Sequence, residues 1–180
     1  MKRIIPLILI FATSYVWAQN EGAAIVYLNS GIRYFNQENY RAAIEDFSIA
    51  IRSNPSLAEA YNNRGLCYAN LHILDSALAD YEQAIDINPD YADAYVNKGN
   101  IFTNIQKFDE AITAYNTAIE MSPQSAEAYS SRGAAYFYLG DSEKALADFD
   151  KSLELKTDNL DVYINRAQLY SSKRMSNEAI

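Results

Sequence analysis

The sequence predicts an all-α solenoid built from helix–turn–helix repeats. Pro55, Pro89 and Pro123 stand 34 residues apart. Gly31, Gly65, Gly99 and Gly133 keep the same interval, so four of the six glycines lie on one lattice. Between these residues the apolar positions recur at helical steps, in two blocks per period. A unit of this size cannot bury an apolar face alone and needs its neighbours, which makes a stacked array the natural architecture.

The chain begins with a segment outside the lattice. Lys2 and Arg3 precede an apolar run from Ile4 to Ala12, and Val16-Trp17-Ala18 closes it. This is the layout of a secretory signal peptide, residues 1–18, cut after Ala18. The competing reading is a membrane anchor. The run falls short of the roughly 20 apolar residues of a span, and Thr13 and Ser14 dilute its end. No Cys follows it to carry a lipid. An exported product, periplasmic or secreted, is therefore expected, with residues 19–23 as a short leader.

Four full repeats follow, at 24–57, 58–91, 92–125 and 126–159, with a partial fifth at 160–180. Tyr27, Tyr61, Tyr95, Tyr129 and Tyr163 precede each glycine or its equivalent by four residues. Ala43, Ala77, Ala111, Ala145 and Ala179 repeat, as do the rings Phe47, Tyr81, Tyr115 and Phe149 and the small residues Ala50, Ala84, Ala118 and Ser152. In the second unit Tyr61, Gly65 and Tyr68 mark one helix, and Ala77, Tyr81, Ala84 and Ile85 mark the next. Leu71-His72 begins the break between them, and Pro89 ends the second helix. Two helices of roughly 13 residues each fit one repeat. The glycine sits inside a helix at a cost of about 1 kcal/mol against Ala. Its repetition predicts a steric demand: Gly65 and Ala77 let two backbones approach, with Tyr68 and Tyr81 beside them.

The pattern resembles the tetratricopeptide (TPR) family, whose signature is W-x-x-L-G-x-x-Y … A-x-x-x-F … A-x-x-x-x-P. The second unit matches it with Tyr61, Gly65, Tyr68, Ala77, Tyr81, Ala84 and Pro89. The third does so with Tyr95, Gly99, Phe102, Ala111, Tyr115, Ala118 and Pro123. The resemblance covers about residues 24–180 and implies a right-handed superhelix. One departure is regular. The usual Leu before Gly is Ser30, Arg64, Lys98, Arg132 and Arg166 here. Asp46, Asp80 and Asp148 share one second-helix position, which the third unit fills with Ala114. We expect staples between repeats, Arg64–Asp46, Lys98–Asp80 and Arg166–Asp148. The competing pairing lies within repeats, as Arg64–Asp80 and Arg132–Asp148.

The resemblance also implies a site. TPR superhelices bind extended peptides or helices along a concave face lined by the first helix of each repeat. Exposed positions there form two rows. One holds Asn29, Asn63, Asn97, Ser131 and Asn165; the other holds Asn36, Asn70, Asn104, Tyr138 and Ser172. Asn100 adds to the third unit. An Asn amide both donates and accepts, so such rows suit a peptide backbone of any sequence. The alternative is that these amides bond to neighbouring helices. The basic clamp that holds the C-terminal carboxylates of heat-shock chaperones is missing. Its position carries Leu28, Asn62, Val96, Ser130 and Ile164. Glu59, Asp93, Glu127 and Asp161 begin the first helices, where carboxylates complement the helix dipole or form a rim that selects basic partners.

Composition narrows the function further. Hydrophobic residues make up 49% of the chain, enough for a core, and 15 Tyr stand against one Trp. The net charge of −8 becomes −10 without Lys2 and Arg3. That balance opposes nucleic acid, whose phosphates require a basic face. Cys67 is the only cysteine and His72 the only histidine. We expect Cys67 to be a packing residue and His72 an exposed turn residue. No metal site, nucleophile pair or phosphate loop is legible, so no enzyme, cofactor or small-molecule substrate is expected. The fifth unit stops at Ile180, early in its second helix, as a fragment of a longer array would. An open end that self-associates is the other reading. The function expected is a protein–protein interaction scaffold with a peptide or protein segment as partner, or alternatively a structural assembly module.

Overall fold

The computed structural model describes the backbone from residue 7 to residue 178 and the side chains from residue 21 to residue 171. The described backbone is all helical and contains no strand. The helices are α1 (Leu7–Asn36), α2 (Tyr40–Ser53), α3 (Ala58–Asn70), α4 (Leu74–Ile87), α5 (Ala92–Asn104), α6 (Phe108–Met121), α7 (Ala126–Tyr138), α8 (Ser142–Leu155) and α9 (Leu160–Glu178). The predicted signal peptide and its cut after Ala18 lie outside the described side chains; the helical backbone passes through this segment from Leu7. Among the described residues no helix is long and apolar enough to cross a membrane.

The chain forms two compact units, residues 1–87 and 88–180. In the first, α1 packs on α2 and α3 on α4, and α2 joins the two hairpins. Its core gathers Leu28, Phe47, Ile51 and Cys67 around Ala43, Ala50 and Ala60. In the second unit, α5–α6 and α7–α8 form hairpins, and α9 packs on α8. Tyr115 centres one core cluster with Val96 and the small residues of α6 and α7. Phe149, Leu153, Val162 and Leu169 form the other.

Each hairpin turns by the same local device. Glu38, His72 and Gln106 have φ of 58°, 58° and 62°, and Gly140 has 80°. The next residue's N–H reaches back five residues: Asn39 to Tyr34 O, Ile73 to Tyr68 O, Lys107 to Phe102 O and Asp141 to Tyr136 O, all at 2.8–2.9 Å. This Schellman-type closure satisfies carbonyls that the helix end would orphan. Three of the four turns place a side chain in the left-handed region, at a local cost that only Gly140 avoids. The proline lattice acts at the other end. The residue before a proline is forced to extended backbone, and Asn54 (φ −140°, ψ 95°) stops α2 accordingly.

The glycine lattice meets a ring and not, as predicted, mainly a backbone. A Cβ at Gly31 would lie 2.5 Å from Phe47 Cε1, and one at Gly65 2.7 Å from Tyr81 Cε1. At Gly99 and Gly133 the nearest atoms belong to Tyr115 (2.5 Å) and Phe149 (2.8 Å). All four rings are buried to 1% exposure or less. Each repeat thus seats a second-helix ring on the bare backbone of its first helix.

The predicted staples are corrected in detail. Arg64 forks onto Asp80 of its own repeat, Nε to Oδ2 at 2.8 Å and Nη2 to Oδ1 at 2.7 Å, and not onto Asp46. Arg132 does the same with Asp148, both contacts at 2.7 Å. The third guanidinium nitrogen reaches the preceding repeat: Arg64 Nη1 donates to Ser48 Oγ at 3.0 Å, and Arg132 Nη1 to Asn116 Oδ1 at 2.6 Å. Arg166 bonds Asp150 at 2.7 Å, where Asp148 was expected. The reason is reach. The bidentate site across the hairpin holds the planar fork, and the acceptor left for the preceding repeat stands two residues beyond the Asp position.

The fifth unit also departs from expectation. Its backbone stays helical through residue 174, where the earlier hairpins turn. One lattice feature that seats a ring in the other hairpins is replaced there: Ala167 stands at the glycine position.

Candidate functional site

The first helices lie side by side within each unit, α1 against α3, and α5 against α7 against α9. This contact puts the predicted rows on one surface in each unit. In the first unit, Asn29, Asn36 and Asn70 are exposed and Asn63 is half-buried. Asn70 turns back on its own helix, Nδ2 donating to Leu66 O at 2.8 Å.

In the second unit, Asn97, Ser131 and Asn165 are half-buried and Asn104 is exposed. The side chain of Ser172 lies outside those described. Asn100 faces inward: its Oδ1 accepts from the Tyr115 hydroxyl at 2.8 Å, while Thr103 Oγ1 stands 3.1 Å from the same hydroxyl. Its role is to satisfy a buried phenol, which would otherwise be desolvated without a partner. The exposed carboxylates Glu59, Asp93, Glu127 and Asp161 each occupy the first turn of a first helix. That placement complements the helix dipole.

One place gathers more than the rows predicted. Tyr138, at the end of α7, is 62% exposed. Its ring stacks on Phe108 at the start of α6, with centroids 5.2 Å apart and planes 15° apart. Thr103, Asn104 and Gln106 complete a cavity of about 520 Å³ around this pair. Asn104 and Tyr138 were predicted from the rows; Thr103, Gln106 and Phe108 were not. A signal existed at Tyr138, whose matching positions are Asn36, Asn70 and Asn104; those matching Phe108 are Tyr40, Leu74 and Ser142, so a ring there is not peculiar to the third repeat. The cavity offers two amides and a hydroxyl beside an aromatic wall. The amides suit a peptide backbone, and the rings suit an apolar or cationic side chain.

Reactive groups lie elsewhere. His72 is exposed in the α3–α4 turn. Cys67 is fully buried, and burial pushes its thiol from 9.0 up to about 12. Burial likewise pushes the Tyr115 phenol from 10.0 up to about 12, against the hydrogen bond with Thr103. Both groups fold in their neutral forms with raised pKa values. The stability they contribute is complete below about pH 9 and is lost as pH rises toward 12. The urea midpoint should therefore fall steadily above pH 9. Cys67→Ala should flatten the first part of that fall, before the tyrosines ionise, and a Cys67→Ala midpoint with the wild-type slope there would contradict this.

Four family models match the chain. Those described as tetratricopeptide repeat cover residues 28–92, 80–113 and 126–159, and one described as TPR repeat covers 99–140. No curated protein matches its sequence. Solved structures do share its fold. A crystal structure of MamA protein is 22% identical with a TM-score of 0.73, over 87% of this chain and 86% of that one. PilF of Pseudomonas aeruginosa is 20% identical with a TM-score of 0.80, over 87% of this chain and 72% of that one. The first TPR of Spaghetti (RPAP3), bound to the HSP90 peptide SRMEEVD, is 26% identical with a TM-score of 0.63, over 65% of this chain and 93% of that one.

Proposed function

We propose that this chain, which belongs to the tetratricopeptide-repeat family, is a non-catalytic scaffold that holds an extended peptide or protein segment on its first-helix face, outside the cytoplasm. The observation that carries the reading is the cavity at Asn104 and Tyr138, where amides and exposed rings converge. The layout of residues 1–18 supports export. A peptide-bound neighbour, the first TPR of Spaghetti, supports the peptide class of partner. The guest differs in charge from that peptide's acidic tail. The position three before each glycine carries no base, and the first helices open on carboxylates. A neutral or basic segment fits this face, with Asn29, Asn36, Asn63, Asn70, Asn97, Asn104 and Asn165 as further backbone contacts.

Capture from an envelope fraction tests the reading. Tyr138 is 62% exposed but stacks on Phe108, so Tyr138→Ala should cost only about 0.5–1.5 kcal/mol of stability and leave the helical fold intact, while partner capture falls about tenfold. Asn63→Ala with Asn97→Ala should weaken capture in the same direction. A stoichiometric partner retained unchanged by both variants would overturn the site.

A second reading, self-association, has one observation in its favour. Leu160, Tyr163, Ile164 and Tyr170 on α9 are 42–70% exposed. A molecular mass that rises with concentration, with no separate partner captured, would favour it over the peptide scaffold.

A further inference from the structure

The cavity at Tyr138 favours one class of guest side chain over others. Its five lining residues, Thr103, Asn104, Gln106, Phe108 and Tyr138, carry no charge, so no ion pair with them selects what enters. Three weaker attractions act together instead. Phe108 stacks on Tyr138, yet the Tyr138 side chain stays 62% exposed, and an accessible ring face attracts a cation within about 6 Å of its centroid. Asn104 is the last residue of α5 and Tyr138 the last of α7. Helix C-termini carry partial negative charge, which favours cations and opposes carboxylates. The side chains of Asn104 and Gln106 are exposed, and their amide oxygens accept from N–H donors.

The charged neighbours leave this balance in place. Lys107 precedes Phe108 and stands 4.0 Å from Glu110, while Asp141, just beyond the end of α7, pairs with Lys144 at 2.7 Å. The whole chain carries a net charge of −8, which draws cationic segments toward it. The protein also makes the same contact with its own side chains. Arg64 lies 5.6 Å over Tyr61, Arg132 5.5 Å over Tyr129 and Arg166 5.5 Å over Tyr163. A guanidinium suits the cavity better than an ammonium, because its plane stacks on a ring while its N–H groups point outward to acceptors.

We propose that the guest places an arginine side chain in this cavity, with its guanidinium on the Tyr138 ring and its N–H groups donating to the side-chain oxygens of Asn104 and Gln106. The proposal rests on the reading of this face as a peptide site and names the side chain that the site selects.

Titration of the full chain with capped tripeptides, followed by NMR, tests it. Acetyl-Ala-Arg-Ala-amide should shift the amide resonances of Asn104, Gln106 and Tyr138 saturably and bind about fivefold more tightly than the Leu or Gln peptide. The Glu peptide should bind more weakly than either. Tyr138→Phe keeps the ring and should keep the preference. Tyr138→Leu keeps an apolar surface without the ring and should weaken the Arg peptide about two- to fivefold, with the helical circular dichroism unchanged. Equal or tighter binding of the Leu, Gln or Glu peptide, an unchanged Arg response in Tyr138→Leu, or no saturable shift would overturn the proposal. Envelope capture separates this outcome from the broader reading. A partner held through Tyr138 by a chain without Arg preference leaves the scaffold standing and removes the arginine. Arg-selective binding with no partner captured upholds the arginine and removes the scaffold.

Discussion

Gly31→Ala should destabilise the protein by up to about 2 kcal/mol, although alanine is the better helix former. The substitution gains roughly 1 kcal/mol of helix propensity. Against this stands a methyl group 2.5 Å from Phe47 Cε1, 2.6 Å from Cδ1 and 3.0 Å from Cζ. The ring is fully buried in the core of its unit, and overpacking of this kind costs about 1–3 kcal/mol. Gly31→Val should exceed the alanine effect. Gly22 supplies the control. It lies in α1 with nothing within 4 Å of an added Cβ, so Gly22→Ala should stabilise by up to about 1 kcal/mol. Urea unfolding followed by circular dichroism reads both signs. A double-mutant cycle with Phe47→Leu should return a coupling of about 0.5–3 kcal/mol between the two sites, and an additive cycle would show that the ring is not what Gly31 accommodates.

Arg132→Leu should cost more, about 3–5 kcal/mol, the range for removing one partner of a buried pair. Asp148 is 6% exposed, and the fork from Arg132 satisfies both of its oxygens. Losing the arginine leaves that carboxylate desolvated and alone, and it also strips Asn116 of its donor. The hydrogen bond with Asp148 raises the arginine's own pKa above its ordinary value, ahead of the opposing effect of burial. The arginine therefore stays charged throughout the range in which the protein is handled. Arg132→Leu with Asp148→Ala should recover most of the loss, since apolar replacement of a whole buried pair is often neutral. The third repeat already carries alanine at the matching position, Ala114. Equal destabilisation by the single and double variants would show that packing, and not the stranded charge, sets the cost.

The hairpins were legible in the sequence because their constraints are local and repeated. Pro89, the Leu71-His72 break and the Tyr61–Gly65–Tyr68 steps each act within a few residues of themselves. The partner of a glycine was harder to read, because the ring it faces comes 16 residues later and competes with a small residue 12 away. Arg64 shows the same difficulty at the level of charge. Asp46 and Asp80 repeat with equal regularity, and only the reach of a planar fork chooses between them. Among the row residues, Asn104 and Tyr138 line one cavity. The rows missed Phe108, because it belongs to a second helix and its contact with Tyr138 crosses repeats. Asn100 looked equivalent to its row mates, yet it lies under the Tyr115 hydroxyl. A one-dimensional pattern cannot report such an inward turn.

The two kinds of bond in this array leave different freedom to its gene. The seat of a ring on a glycine closes inside one hairpin, so a duplication or deletion of a whole 34-residue unit carries that contact along intact. The arginine forks reach back to Ser48 or Asn116 in the unit before, so each unit also carries half of an agreement with its predecessor. Unequal crossing-over can change the number of hairpins at small cost, but a shuffled order must rewrite those agreements. Evolution of this array is thus freer in length than in sequence of units.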